Sequence, residues 1–263
     1  MTYHTIELSE KAGIATITLN RPQALNALTV EMAVELIHAL DTLRDEGNTR
    51  VLLLTGMGRG FCSGADLAAG VTGTQSGPMD AGVSLETHYN PLLERILALP
   101  FPVVNAINGV AAGAGCSLAI AGDVVIAAKS AYFLQAFINI GLVPDVGSTW
   151  ILPRLVGKAR AAGMMMLGER LPAEKAAEWG LIWKVVEDDA LMHEAHAICA
   201  KFANGPTQSY GILRKAIRSA MESTLTETLQ DERVNQRSAS RTGDFLEGVQ
   251  AFLGKRKAQF TGK

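Results

Sequence analysis

The sequence is poor in cysteine, aromatic residues and charge, and each shortage excludes something. Cys62, Cys116 and Cys199 stand far apart in 263 residues. They are odd in number and have neither the close pairs of a zinc site nor the density of a disulfide scaffold, so a reduced, cytoplasmic chain is expected. Aromatics make up 6% and charged residues 19%, against 48% hydrophobic residues and 26 glycines. Small aliphatic side chains must therefore build the core, and disorder or collagen-like repetition is excluded. A formal charge of -2 leaves no basic excess for gripping a phosphate backbone, so no nucleic-acid partner is expected. The opening stretch MTYHTIELSEKAG carries charges where a signal peptide needs an unbroken apolar run, and no export signal is expected. Phe101 to Gly122 is uncharged and long enough to span a bilayer, but it contains Asn105, Asn108, Ser117 and four glycines. It reads as buried strand and turn, and no membrane association is expected.

What is present reads as alternating strands and helices. Thr5 to Leu19 alternates around a Lys11-Ala12-Gly13 turn and predicts a β-hairpin. From Thr29, a good N-cap, apolar residues recur at helical spacing through Leu43 and stop near Gly47. Arg50 to Thr55 is a short apolar run that suits a strand buried on both faces, so strand, helix and strand suggest parallel pairing. The rhythm returns with a helix at Pro91 to Leu99, strands at Val103 to Ile107 and Val124 to Ala127, and a glycine-rich helix start at Gly113. Ala68 to Ser84 is glycine-rich and almost chargeless, a long loop of the kind that is often functional. After Leu191 the chain reads as wholly helical: Leu191 to Ala203, Thr207 to Glu222, Thr224 to Arg237 and Gly243 to Phe252. Residues 1–190 are thus expected to form an α/β core and 191–263 a helical C-terminal region.

Three patterns fall short of known motifs. Gly56-Met-Gly58-Arg-Gly60-Phe61 has Phe61 where a dinucleotide fingerprint needs its third glycine. Gly115-Cys-Ser117-Leu-Ala119 lacks the last glycine of a nucleophile elbow and has no matching acid and base. His193 and His196 are too close for a zinc helix and read as a solvated face. More specific are two small-residue turns, each following a strand: Phe61 to Leu67, and Asn108 to Gly115. Such turns can aim two backbone N–H groups into one cleft, where they would stabilise an enolate or a tetrahedral oxyanion.

Asn20 to Leu28 (NRPQALNAL), Gly60 to Leu67 (GFCSGADL), Asn108 to Gly115 (NGVAAGAG) and Ala121 to Ala127 (AGDVVIA) together resemble the crotonase, or enoyl-CoA hydratase/isomerase, superfamily, in order and with its spacing from Thr5 to Phe260. The resemblance implies a spiral of ββα units, a C-terminal helical region that packs homotrimers or dimers of trimers, and an acyl-CoA thioester as substrate. It places the two oxyanion donors on the backbone N–H groups of Ala65 and Ala114. CoA contacts carry over to Gln23, Ala24 and Leu25, to Ala65, Asp66, Leu67 and Ala68, and to the basic tail at Lys257 and Phe260. CoA is then part of the substrate, and neither a further cofactor nor a metal is implied.

The departures from the family pattern bear on the chemistry. Hydratases of the family carry two glutamates at positions that hold Ser117 and Phe137 in this chain. Neither can serve as a carboxylate base, which argues against water addition. One acid, Asp145 in GLVPDVGSTW, falls where some isomerases and dehalogenases of the superfamily place theirs. Its apolar neighbours should raise its pKa, while a helix start nearby would oppose the shift; a purely N-capping Asp is the alternative. A dehalogenase would need aromatics at the first donor position, where Ala65 stands. With His88-Tyr89-Asn-Pro-Leu-Leu and the ending Gln259-Phe-Thr-Gly-Lys263, the Asp145 segment is most similar to the branch of the family that isomerises ring-1,2-epoxyphenylacetyl-CoA to an oxepin and shifts Δ3 double bonds to Δ2. An acyl pocket lined by Tyr89, Ser117, Phe137 and Trp150 is expected. The alternatives are an enoyl-CoA hydratase and a non-catalytic acyl-CoA-binding homologue.

Overall fold

The computed structural model describes residues 1–67 and 80–263. β1 (Ile6–Lys11) and β2 (Ile14–Leu19) pair antiparallel with Lys11 opposite Ile14. Ala12 and Gly13 between them both have positive φ, the two-residue turn whose twist matches that of the strands. Alternate residues of β2, Ala15, Ile17 and Leu19, are fully buried, as the alternation requires. α1 (Val30–Glu46) starts where the Thr29 hydroxyl accepts from the Met32 N–H and ends at Gly47 in the left-handed region. Its stripe of Met32, Leu36, Leu40 and Leu43 packs into the core.

Downstream, consecutive strands alternate between two sheets. β3 (Val51–Gly56), β5 (Val103–Ile107) and β7 (Val124–Ala128) extend the hairpin as parallel strands, closed by β10 (Lys184–Val186). β4 (Gly60–Cys62), β6 (Val110–Ala112) and β8 (Tyr132–Leu134) form a second sheet, with β9 (Leu171–Pro172) at its edge. Each pair is followed by a helix: α2 (Asn90–Ala98), α3 (Ala114–Ala119) and α4 (Ser148–Leu167). Three ββα turns in succession make the spiral. The residues of β3 and β5 are buried on both faces, which is why those strands read as unbroken apolar runs. α4 is interrupted at Gly157, four residues after Pro153.

α5 (Ala173–Glu178) precedes β10, and four helices follow it: α6 (Leu191–Ala203), α7 (Thr207–Ala220), α8 (Leu225–Ala239) and α9 (Gly243–Leu253). α6, assigned from the sequence to the C-terminal region, lies against β3 and β5 through its buried Leu191, Ala195 and Cys199. The part that stands apart from the sheet therefore begins at α7. Arg214 and Arg218 of α7 anchor it. Arg214 donates to the Leu99 carbonyl and, at 3.0 Å, to that of Ile96, and its Nε lies 2.6 Å from Asp123. Arg218 donates to the Leu97 carbonyl, so the two cations occupy the open carbonyl end of α2. α8 and α9 leave Leu225, Leu246, Phe252 and Leu253 more than half exposed, with Phe252 at 83%. No helix among the described residues is long and apolar enough to cross a membrane.

Candidate active site

β4 and β6 are adjacent parallel strands, so the loops leaving their C-terminal ends, Ser63 to Ala65 and Gly113 to Ala114, are neighbours. Backbone packs on backbone there: Gly64 has φ +108°, and a Cβ on it would lie 3.0 Å from the Ala112 carbonyl oxygen and 3.7 Å from the Gly113 Cα. A Cβ on Gly115 would fall 2.2 Å from the Cys62 carbonyl oxygen, so only glycine lets α3 begin this close to β4.

These contacts set two backbone donors near one another. Leu28 bridges Ala65 in parallel fashion, donating to Gly64 O at 2.7 Å and accepting from Asp66 N at 2.8 Å. In such a bridge the N–H of the central residue points the other way, so the Ala65 N–H faces away from Leu28. Ala114 is the first residue of α3, where an N–H has no partner within its own helix. Both thiols beside these loops are inert, because burial pushes Cys62 and Cys116 up to about 12.

The NRPQALNAL turn is held by asparagine side chains. Asn26, fully buried, accepts from the Arg21 N–H and donates to the carbonyls of Met57 and Gly60 at 3.0 and 2.8 Å. Asn108 donates to Gly56 and Gly58 from the other side. The Ser63 N–H donates to Leu25 O, and Arg21 pairs with Asp66 at 2.9 Å, which ties the turn to the first donor loop. Asn26→Ala would strand the Arg21 N–H and the Met57 carbonyl, while Gly60 keeps its 3.2 Å bond from Asn108, and is expected to cost about 2–4 kcal/mol in urea denaturation.

Asp145 lies on the loop into α4. Burial raises its carboxyl to about 6, and its Oδ1 is enclosed without a hydrogen-bond partner among the described residues. It does not cap the helix: the N-cap is Gly147, with no side-chain bond to the first turn. Asp145 to Ser148 is a tight turn closed by Ser148 N donating to Asp145 O at 3.0 Å, and both its central residues have positive φ, Val146 at 47° and Gly147 at 73°. A buried β-branched residue in that region is strained by about 1–3 kcal/mol. Tyr89, nearly buried, gives a long 3.4 Å bond to Leu28 O. Its phenol is raised by burial first and then by the charge of Asp145, so Asp145, Tyr89 and the first loop share one neighbourhood. Phe137 is buried, with its ring tip 3.9 Å from where a Gly113 Cβ would stand.

Two expected pocket residues are placed elsewhere. Ser117 is fully buried beneath the site and its hydroxyl is spent on Asp145 O and Ser148 Oγ, with Gly113 O at a longer 3.4 Å. Trp150 turns away because it lies two residues beyond the inward-facing Ser148, roughly 200° round the helix. Its Nε1 donates to Glu222, Arg154 stacks 4.1 Å over its ring, and it lines a separate cavity of about 370 Å³ with Phe202 and Tyr210. Of the residues expected to contact CoA, Gln23 and Leu67 are exposed and Ala24 and Leu25 partly so, whereas Ala68 lies outside the described residues. Lys257 is exposed, and Phe260 packs over Gly248 of α9 with its carbonyl accepting from Arg50. No hydrogen bond among the described residues joins this tail to the Gln23 turn. Arg256 is committed to Glu247 at 2.6 and 2.8 Å, which holds the Glu247 carboxyl down at about 2.

Residues 9–263 match the family model described as enoyl-CoA hydratase/isomerase. The chain belongs to the enoyl-CoA hydratase/isomerase family. It is 50% identical to the 1,2-epoxyphenylacetyl-CoA isomerase of Escherichia coli K12, over 95% of this chain and 96% of that one. A relative from Rhodobacter capsulatus, assigned as an enoyl-CoA hydratase, is 47% identical over the full length of both. The crystal structure of the Bacillus anthracis enoyl-CoA hydratase superposes with a TM-score of 0.93 at 33% identity, covering 99% of this chain and 100% of that one. Sequence reasoning missed the Asn26 and Asn108 clamps and the Arg21–Asp66 pair; the signal for them was asparagine recurring at the edges of glycine-rich turns.

Proposed function

We propose that this member of the family is an acyl-CoA isomerase in which Asp145 is the single acid/base and the Ala65 and Ala114 N–H groups receive the thioester oxygen. The carrying observation is a half-buried carboxyl, raised to about 6 and with one oxygen unpartnered among the described residues, beside two loops whose Ala65 and Ala114 N–H groups meet no acceptor among those residues. In a Δ3-to-Δ2 shift the carboxylate takes a proton from C2 and the enolate oxygen rests on the two N–H groups. The double bond then moves to C2–C3 as the same carboxyl returns the proton to C4. The identity to the E. coli protein favours 1,2-epoxyphenylacetyl-CoA, converted to the oxepin, as a substrate. The relative assigned as a hydratase favours water addition. Against it stands Ser117, whose hydroxyl is bound to backbone beneath the site, and Phe137, whose ring makes that wall apolar.

The reading takes an acyl-CoA as its partner, with CoA lying along Gln23 to Leu25 and Ala65 to Ala68. It takes a homotrimer or dimer of trimers as the assembly, so that Lys257 and Phe260 reach the CoA of a neighbour. The exposed apolar residues of α8 and α9 support the assembly. No cofactor beyond CoA, no metal and a cytoplasmic location complete it. A 3-enoyl-CoA and the ring epoxide, assayed side by side, should both be isomerised. Binding of both without turnover would instead mark a non-catalytic acyl-CoA-binding protein, and comparable water addition to crotonyl-CoA would mark a hydratase.

A further inference from the structure

Beneath Asp145 lies a hydrogen-bond chain that runs in one direction. Gln135, fully buried, donates through Nε2 to Ser148 Oγ at 3.1 Å. Ser117 Oγ lies 2.7 Å from Ser148 Oγ and donates to the Asp145 carbonyl at 3.0 Å. Ser117 has one hydroxyl proton and two carbonyls in reach, Asp145 at 3.0 Å and Gly113 at 3.4 Å; the nearer takes it, and with that proton used Ser148 is the donor between the two serines. Each hydroxyl then donates once and accepts once, and the chain ends on the backbone of the residue whose carboxyl does the chemistry.

The turn that receives this bond is the strained one. Val146 is held at positive φ inside the core, and Leu93 of α2 crowds Gly147 so closely that a Cβ there would fall 2.5 Å from its Cδ2. The turn bond from Ser148 N occupies only one lone pair of the Asp145 carbonyl; Ser117 fills the other. We infer that Ser117 is a positioning residue, which, backed by Ser148 and Gln135, locks the strained Asp145–Ser148 turn and so fixes where the Asp145 carboxyl stands. This rests on the proposal that Asp145 is the acid/base. From the residue just before α2, Tyr89 lies near enough for the Asp145 charge to raise its phenol, on which Cys62 and Asp66 also act. The groups bonded to the turn from α3 and α4, Ser117 and Ser148, are uncharged.

The test is steady-state kinetics on a 3-enoyl-CoA across pH for Ser117→Ala, Ser148→Ala, the double variant and Asp145→Asn. Ser117→Ala should lower kcat about tenfold to a hundredfold while changing KM less than about threefold, because a misplaced base loses near-attack geometry without losing CoA contacts. Its acid limb should move to lower pH, since a loosened carboxyl gains water. Ser148→Ala should shift kcat and the limb the same way by less, and the double variant should be no worse than Ser117→Ala, as befits one chain. Wild-type kcat and an unmoved acid limb in Ser117→Ala, with Asp145→Asn inactive, would overturn the positioning role alone. Should Ser117→Ala fail to fold, the same outcome in Ser148→Ala overturns it. Full activity in Asp145→Asn would overturn the reading of Asp145 and this inference with it.

Discussion

Asp145→Asn is expected to lower isomerisation by about 10²–10⁴-fold, the range that a general acid/base supplies, with the affinity for a CoA ester nearly unchanged. Amide and carboxyl have the same shape, so the loop and the two backbone donors should stay in place. In the wild type, kcat/KM should rise as the carboxyl ionises with its pKa of about 6 and level off above it. That limb should be absent from whatever activity Asp145→Asn retains. The same burial has a consequence for stability that runs opposite to activity. The folded state holds the proton up to about 6 and the unfolded chain only to about 3.8, so stability is fully present below about pH 3.8 and declines as pH rises through 6. The ionised carboxyl at neutral pH therefore costs up to about 3 kcal/mol, which Asn does not incur. Urea denaturation should find Asp145→Asn the more stable protein near about pH 8 and the two equal near about pH 4. Equal stability at both would mean the carboxyl is not held in an apolar site.

That carboxyl also marks where the sequence was legible. Elements stabilised by their own periodicity and caps could be read in advance: the hairpin with its Ala12-Gly13 turn, α1 between Thr29 and Gly47, and the C-terminal helices to within a few residues. The second sheet was not readable, because β4, β6 and β8 are three residues each, too short to show alternation, and include the poor strand formers Gly60, Ala111 and Ala112. α4 was seen only at its start; Pro153 and Gly157 hide the rest. In the site, the donor loops could be located because close backbone approach demands glycine, as at Gly64 and Gly115. Trp150 could not be assigned to a face, since that depends on the helix phase set by Ser148, and Ser117 looked like a wall residue because nothing local tells a hydroxyl bonded to a distant carbonyl from one facing a ligand. Tertiary partners decide both.

Ala114→Pro is the change that should isolate the second donor. Backbone donors cannot be deleted by ordinary substitution, but Ala114 occupies the first position of α3, where proline's fixed φ is already helical and its missing N–H has no partner within the helix. The residue before it, Gly113, has φ 51° and ψ −129°, outside the right-handed helical region that a following proline disfavours. The substitution therefore removes one N–H at little cost to α3, and the ring also stands where that N–H pointed. Loss of one such donor is worth about 10²–10³ in kcat. A fall of that size with a melting temperature close to wild type would place the thioester oxygen at the start of α3, where the ring replaces the N–H. Because Asp145 is untouched, the acid limb of the pH profile should stay near 6 while its plateau falls. Asp145→Asn should do the reverse, removing the limb and leaving the donor pair in place, so that the two variants separate the proton transfer from the stabilisation of the charge it creates.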